Sequence, residues 1–311
     1  MKITCIMENT IGNELCQVEH GLSLHVEMED SRILVDTGAS GLFIENANRL
    51  GLDLTKVETL FLSHGHYDHG GGILDFHRIN SKAKLVMQKE AFGDYWHIGE
   101  DTEKYIGLDP QIKELENIVL LEGDYICDKE VGKVGAKIEE ENESKKNGLT
   151  VEGFSKKKID SIEIFTLKYK EQNTLKCWPD GNLVLKEKID GEYVQDNFEH
   201  EQYIVLKEKG KHVLISGCAH NGILNILEEY RTLYGNHPDV IISGFHMRKK
   251  NGYSKKDFEV IKETAKVLQE TKILCYTGHC TGQEPFEVMK EIMGEQLQYL
   301  RCGDRVEISE E

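Results

Sequence analysis

Apolar and polar positions alternate through the first forty residues. Lys2 to Met7, Leu22 to Met28 and Arg32 to Val35 each read as strands, separated by the turn formers Gly12-Asn13, His20-Gly21 and Glu29-Asp30-Ser31. These connections predict an antiparallel meander. The period then changes: Gly41 to Leu50 reads as a short helix stopped by Gly51, Val57 to Ser63 as a strand, Ile73 to Ile79 as a helix and Lys84 to Gln88 as another strand.

The far end of the chain is equally regular. Gln202 to Lys207 and Lys211 to Ser216 predict a hairpin around Glu208-Lys209-Gly210, followed by a helix from Asn221 to Tyr234 and a strand from Asp239 to Ser243. Lys255 to Glu270 is an amphipathic helix with Phe258, Ile261, Ala265 and Leu268 on one face. A strand at Lys272 to Tyr276, a helix at Glu284 to Met293 and a strand at Arg305 to Ile308 complete the pattern.

Between Phe92 and about residue 200 the periodicity is mixed. Phe92 to His97 and Tyr105 to Pro110 put aromatics beside turn residues, which suits a flap over a substrate as well as ordinary packing. Glu139 to Gly148 and Ser155 to Lys158 read as solvated charged loops. Ser161 to Lys168 and Asn182 to Lys188 predict a hairpin, with Trp178-Pro179-Asp180-Gly181 as its turn. The expectation is an α/β (α+β) chain forming a single domain over residues 1–311, with 92–200 as an insertion.

Chemistry concentrates where the strand ending at Ser63 runs into His64-Gly65-His66-Tyr67-Asp68-His69 and a glycine cluster. Neutral imidazoles and a carboxylate suit borderline divalent cations. In an extended segment His64 and His66 point the same way, while Asp68 and His69 turn across the loop, so one turn can serve two ions. Later, three consecutive strands each stop at a small residue and then present a histidine: His220, His246 and His279. Ligands collect outside strand ends in open sheets, which would bring the three to one edge. His77 reads as a helix-surface residue. Asp36, in Val35-Asp36-Thr37-Gly38, is either a turn former or a group aimed at the site.

The formal net charge of −17 over 311 residues disfavours nucleic acid. No run is long enough for a membrane span, and the first residues lack a secretory pattern. Eight cysteines without C-x-x-C pairing read as reduced thiols, so a cytoplasmic protein is expected. The expected partner is a small-molecule substrate, and a homodimer is compatible with the chain.

The string His64-Gly65-His66-Tyr67-Asp68-His69, with its leading apolar strand and trailing glycines, resembles the signature of the metallo-β-lactamase superfamily. Glu19 to Ser23, Asp36-Thr37-Gly38, Gly217 to His220, Gly244 to His246 and Gly278 to Gly282 extend the likeness to the subgroup of a dihydropterin-ribofuranosylaminobenzene phosphate synthase. The resemblance implies a four-layer αββα sandwich with an inserted flap. It implies two divalent ions, zinc first with manganese or iron as alternatives: His64, His66 and His220 would hold one, and Asp68, His69 and His279 the other. Asp36 would pack under the loop and hold a ligand imidazole, and Asp68 would also orient an attacking hydroxide.

The family often bridges its ions with an Asp at the strand end where this chain has Ser243-Gly244-Phe245-His246. Without it, a solvent bridge, a partial role for His246 or a weak second site remain open; His246 is favoured here as a substrate-facing acid. Cys218 and Cys280 offer a rival, softer ligand set. A dinuclear hydrolase acting on a small ester or phosphoester leads, with a pterin-linked synthase and a metal-binding protein without turnover as alternatives.

Overall fold

The computed structural model describes residues 1–125, 161–167, 177 and 180–309. The expected meander forms as β1 (Lys2–Met7), β2 (Ser23–Glu27) and β3 (Arg32–Val35), all antiparallel. Helix α1 (Leu42–Arg49) returns the chain so that β4 (Thr59–Phe61) lies parallel to β3. The glycine-flanked stretch then turns helical at once, as α2 (Tyr67–Gly70), before α3 (Ile73–Ile79) leads to β5 (Lys84–Gln88).

The middle of the chain contributes β6 (Tyr95–Gly99), β7 (Thr102–Tyr105), β8 (Ile118–Leu121), β9 (Ile162–Phe165), β10 (Leu185–Ile189) and β11 (Glu192–Gln195). It is followed by β12 (Tyr203–Glu208), β13 (Lys211–Ser216), α4 (Ile223–Tyr234), β14 (Val240–Ser243) and α5 (Lys255–Thr271). Last come β15 (Leu274–Thr277), α6 (Gln283–Met293), β16 (Leu297–Tyr299) and β17 (Arg305–Glu307). Ser254 and Asp257 close a reciprocal capping box at the start of α5.

Two sheets carry the fold, in the orders β17-β1-β2-β3-β4-β5-β8 and β16-β15-β14-β13-β12-β9. Strand alternation divides their side chains among three cores. Ile3, Val26, Val35 and Phe61 of the first sheet meet Ile204, Val213, Ile215 and Ile242 of the second between the sheets. Leu34, Leu60 and Leu85 point outward against Phe43, Ala47, Ile73 and Phe76 of α1 and α3. Val205, Leu214, Ile241 and Cys275 face Ile226, Tyr230, Ile261, Leu268 and Met289 of α4, α5 and α6. The result is helices, sheet, sheet, helices, the four-layer αββα sandwich.

The expected hairpin between Ser161–Lys168 and Asn182–Lys188 does not form. β9 instead pairs antiparallel with β12, opposing Phe165 to Tyr203, while β10 pairs with β6 and β11 in a small sheet ordered β11-β10-β6-β7. The reason is burial on both faces: Ile164 belongs to the inter-sheet core and Phe165 to the core under the helices, so this strand completes a main sheet. Lys168, Trp178-Pro179, Cys127 and both charged loops lie outside the described residues. No described helix is long and apolar enough to cross a membrane.

Candidate metal centre

The donor side chains all sit where strands stop. After β3, β13, β14 and β15 the chain turns through a non-glycine residue in left-handed conformation: Asp36 (φ 60°), Ala219 (54°), His246 (49°) and His279 (49°). Each such residue costs about 1–2 kcal/mol, and the four bring the ends of both sheets onto one edge. At the fifth strand end, extended backbone through His66 (φ −97°, ψ 149°) gives way to α2. That switch separates the directions of His64 and His66 from those of Asp68 and His69.

His64, His66 and His220 form one buried group, with Nε2 of His64 and His220 3.3 Å apart. Asp68, His69 and His279 form the other: Nε2 of His69 and His279 are 3.1 Å apart, and Asp68 Oδ2 stands 3.3 Å from His279 and 3.8 Å from His69. All six expected ligand side chains are thus brought together.

The tautomers follow from the far ring nitrogens. His69 Nδ1 lies 2.7 Å from Asp36 Oδ2, His220 Nδ1 2.9 Å from Asn182 Oδ1, and His279 Nδ1 3.1 Å from Asn9 Oδ1, all acceptors. His64 Nδ1 lies 2.9 Å from Ser63 Oγ, whose own proton goes to Asp36 Oδ2 at 2.7 Å. Nδ1 therefore carries the hydrogen in each ring when it is neutral, and in that state, the one a cation would bind, four Nε2 lone pairs converge in two pairs. His66 Nε2 is buried and makes no hydrogen bond, with Asp196 Oδ2 3.8 Å away. Facing lone pairs and an orphaned nitrogen are mutually repulsive as they stand, and they are the donor arrangement a pair of borderline divalent cations would satisfy.

The electrostatics agree. Burial and then the neighbouring imidazoles hold the His64 pKa well below its ordinary range, and the same causes depress His220. His69 is the exception: burial pulls it down, but Asp36 and Asp68 outweigh that and hold it up at about 9. Burial would raise Asp68, yet His69 and His279 keep it well below the usual carboxylate range. Among the described residues, no Lys or Arg pairs with Asp36, Asp68 or Asp196, so their counter-charge comes from imidazoles alone.

A family model described as the metallo-beta-lactamase superfamily matches residues 18–150, which contain β2 to β8 and the whole His64 to His69 turn. Over that stretch the chain is similar to the metallo-beta-lactamase superfamily. A crystal structure described as a metal-dependent hydrolase of the beta-lactamase superfamily superposes with a TM-score of 0.72 at 25% identity, covering 100% of both chains. A Methanocaldococcus jannaschii protein named 7,8-dihydropterin-6-methyl-4-(beta-D-ribofuranosyl)-aminobenzene-5'-phosphate synthase is 28% identical, covering 97% of this chain and 95% of its own. An uncharacterised protein of the same organism is 25% identical over 79% of each chain.

Several supporting residues escape a reading of the sequence. Asn9 and Asn182 fix the tautomers of His279 and His220. Glu201 receives the backbone N–H of His220 at 2.7 Å, Glu8 that of His279 at 2.5 Å, and Phe198 stacks on the His220 ring at 4.5 Å. His20, inside a quoted stretch, stacks on His279 and reaches Asp68 at 3.3 Å. His200 accepts the Gly65 N–H on Nδ1 at 2.9 Å, so its Nε2 bears the hydrogen it donates to Asp196 at 3.1 Å. That tautomer makes His200 a support for Asp196, with no lone pair left for a cation. Asn9, Asn182 and Glu201 lie in stretches with no ligand spacing, so only Cys218, adjoining His220 in sequence, carried a signal.

His246 stands apart from both groups. Its ring lies 4.2 Å from that of His220, partly exposed, and its buried Nδ1 has no hydrogen-bond partner.

Proposed function

We propose that this chain is a dinuclear metal-dependent hydrolase acting on a small ester or phosphoester. The observation that carries the reading is the set of four Nε2 atoms converging in two pairs, beside an orphaned fifth nitrogen at His66. His64, His66 and His220 would hold one cation, and Asp68, His69 and His279 the second. Zinc suits this nitrogen-rich donor set best. When bound, two such ions supply Lewis acidity that makes water a nucleophile near neutral pH and offsets charge growing on a carbonyl or phosphoryl oxygen.

The chain's own groups do the positioning. Asp36 holds His69 and, through Ser63, His64, so one carboxylate orients an imidazole in each group. Asp68, aligned by His20 and His279, would hold the attacking water's proton. His246 would donate a proton to the departing oxygen from Nδ1, which has nothing else to bond.

A synthase activity is the second reading. It is supported by the named relative and by Arg248, whose Nη1 lies 3.4 Å from His20 Nδ1 and brings a cation to the rim, where a diphosphate could rest. Chelator-treated protein should be reloaded with zinc and offered chromogenic phosphomonoesters, phosphodiesters and carboxylic esters. Metal-dependent turnover of at least one ester is expected; a fully loaded protein that cleaves none would sink the hydrolase reading.

A further inference from the structure

Among the described residues no candidate donor group joins the two imidazole sets through a carboxylate ligand, and the position where one was expected is otherwise engaged. Ser243 turns its hydroxyl onto the neighbouring Gly244 carbonyl at 2.6 Å, and its own carbonyl accepts from Thr277. A different side chain stands between the groups. Sγ of Cys218 is 3.2 Å from Nε2 of His69, in the second group, and within 4.8 Å of the nearer ring nitrogen of His64, in the first. Given the proposed dinuclear reading, on which this rests, we infer that Cys218 supplies a thiolate ligand common to both cations.

The backbone explains how one strand end delivers two donors. Ala219 adopts φ 54° between Cys218 and His220, so the chain reverses there and both flanking side chains face the imidazoles. Cys218 is buried. The other nearby thiol behaves differently. Cys280 donates to the Cys218 carbonyl at 3.5 Å and accepts the His246 N–H at 3.3 Å, so it is committed as donor and as acceptor. Both sulfurs lie within 4.8 Å of each other and of a His246 ring nitrogen, but of the two only Cys218 also groups with His64 and His69.

A thiol that binds a divalent cation gives up its proton, and the resulting thiolate is soft. One sulfur among imidazoles shifts preference from manganese toward zinc and cobalt. It also places an oxidisable atom in the centre of the site.

Cobalt(II) tests this without reference to turnover, because thiolate bonded to cobalt(II) gives a near-ultraviolet charge-transfer absorption separate from the visible ligand-field bands. The full chain, reduced and stripped by chelator, is titrated with cobalt(II) chloride under anaerobic conditions. Both band systems are expected for the unaltered protein and for Cys280→Ser. Cys218→Ser and Cys218→Asp should keep the ligand-field bands and lose the charge-transfer absorption altogether. A charge-transfer band that is missing from the cobalt-loaded unaltered protein, or that survives in Cys218→Ser, overturns the assignment and leaves the imidazole sites standing. Failure of the unaltered protein to bind cobalt at all would instead remove the metal reading, and the ligand with it.

Discussion

Asp36 Oδ2 lies 2.7 Å from Nδ1 of His69, and the same oxygen receives the Ser63 hydroxyl that supports His64. One fully buried carboxylate thus governs an imidazole in each of the two histidine groups. Asp36→Asn keeps the shape but removes the charge and offers an amide N–H where acceptors are needed. Metal affinity is expected to fall about 10–100-fold, the usual cost of losing such an outer partner. Competition against a fluorescent zinc chelator reads this directly, and unchanged affinity would contradict the role given to Asp36.

His69 gives the metal-free protein a pH dependence of definite sign. Its pKa in the folded chain is about 9 against an ordinary 6.5. The stabilisation is therefore fully present below about pH 6.5 and is lost as pH rises through about 9. For a group this deeply buried the contribution is at most about 3 kcal/mol. Urea unfolding of chelator-treated protein should show the midpoint dropping across that window, and Asp36→Asn should flatten the drop. Zinc loading near pH 7 should release the same proton, visible as a calorimetric binding enthalpy that varies with buffer ionisation.

Asn182 and Asn9 separate the two groups experimentally. Asn182 fixes the tautomer of His220, and Asn9 that of His279. Asn182→Ala should weaken the cation held by His64, His66 and His220 by about 10–100-fold and leave the other nearly unchanged, with Asn9→Ala doing the reverse. Stepwise zinc titrations of the two variants check this; equal effects on both steps would show that the groups do not act as separate sites.

His246 tests the chemistry apart from the metal. Its Nδ1 lacks a partner, its ring adjoins His220, and it groups with Cys218 and Cys280 rather than with the other imidazoles. His246→Gln should retain full metal content and lose about 10²–10⁴-fold in kcat on the best ester. Loss of metal in this variant would show that His246 is a ligand rather than a proton donor.

How much of this was legible beforehand depended on range. The His64 to Asp68 spacing could be read because its geometry is set within a few residues by an extended segment running into a turn. The strand ends at 220, 246 and 279 could be read because each follows an apolar run that stops at small residues. Asn182, Asp196 and His200 could not, since their partners His220, His66 and Gly65 lie up to 135 residues away and no periodicity surrounds them. The mistaken hairpin has a similar origin. Alternation shows that residues 162–165 are a strand, but the choice of β12 over β10 as neighbour depends on two cores that close only in the assembled sandwich.

The left-handed corners at Asp36, Ala219, His246 and His279 lock the backbone through hydrogen bonds and packing inside the protein itself. An arriving cation therefore meets donors already in place and has little chain to reorganise. Unlike a zinc finger, whose architecture exists only around its ion, this chain would owe the placement of its donors to its own sheets and corners.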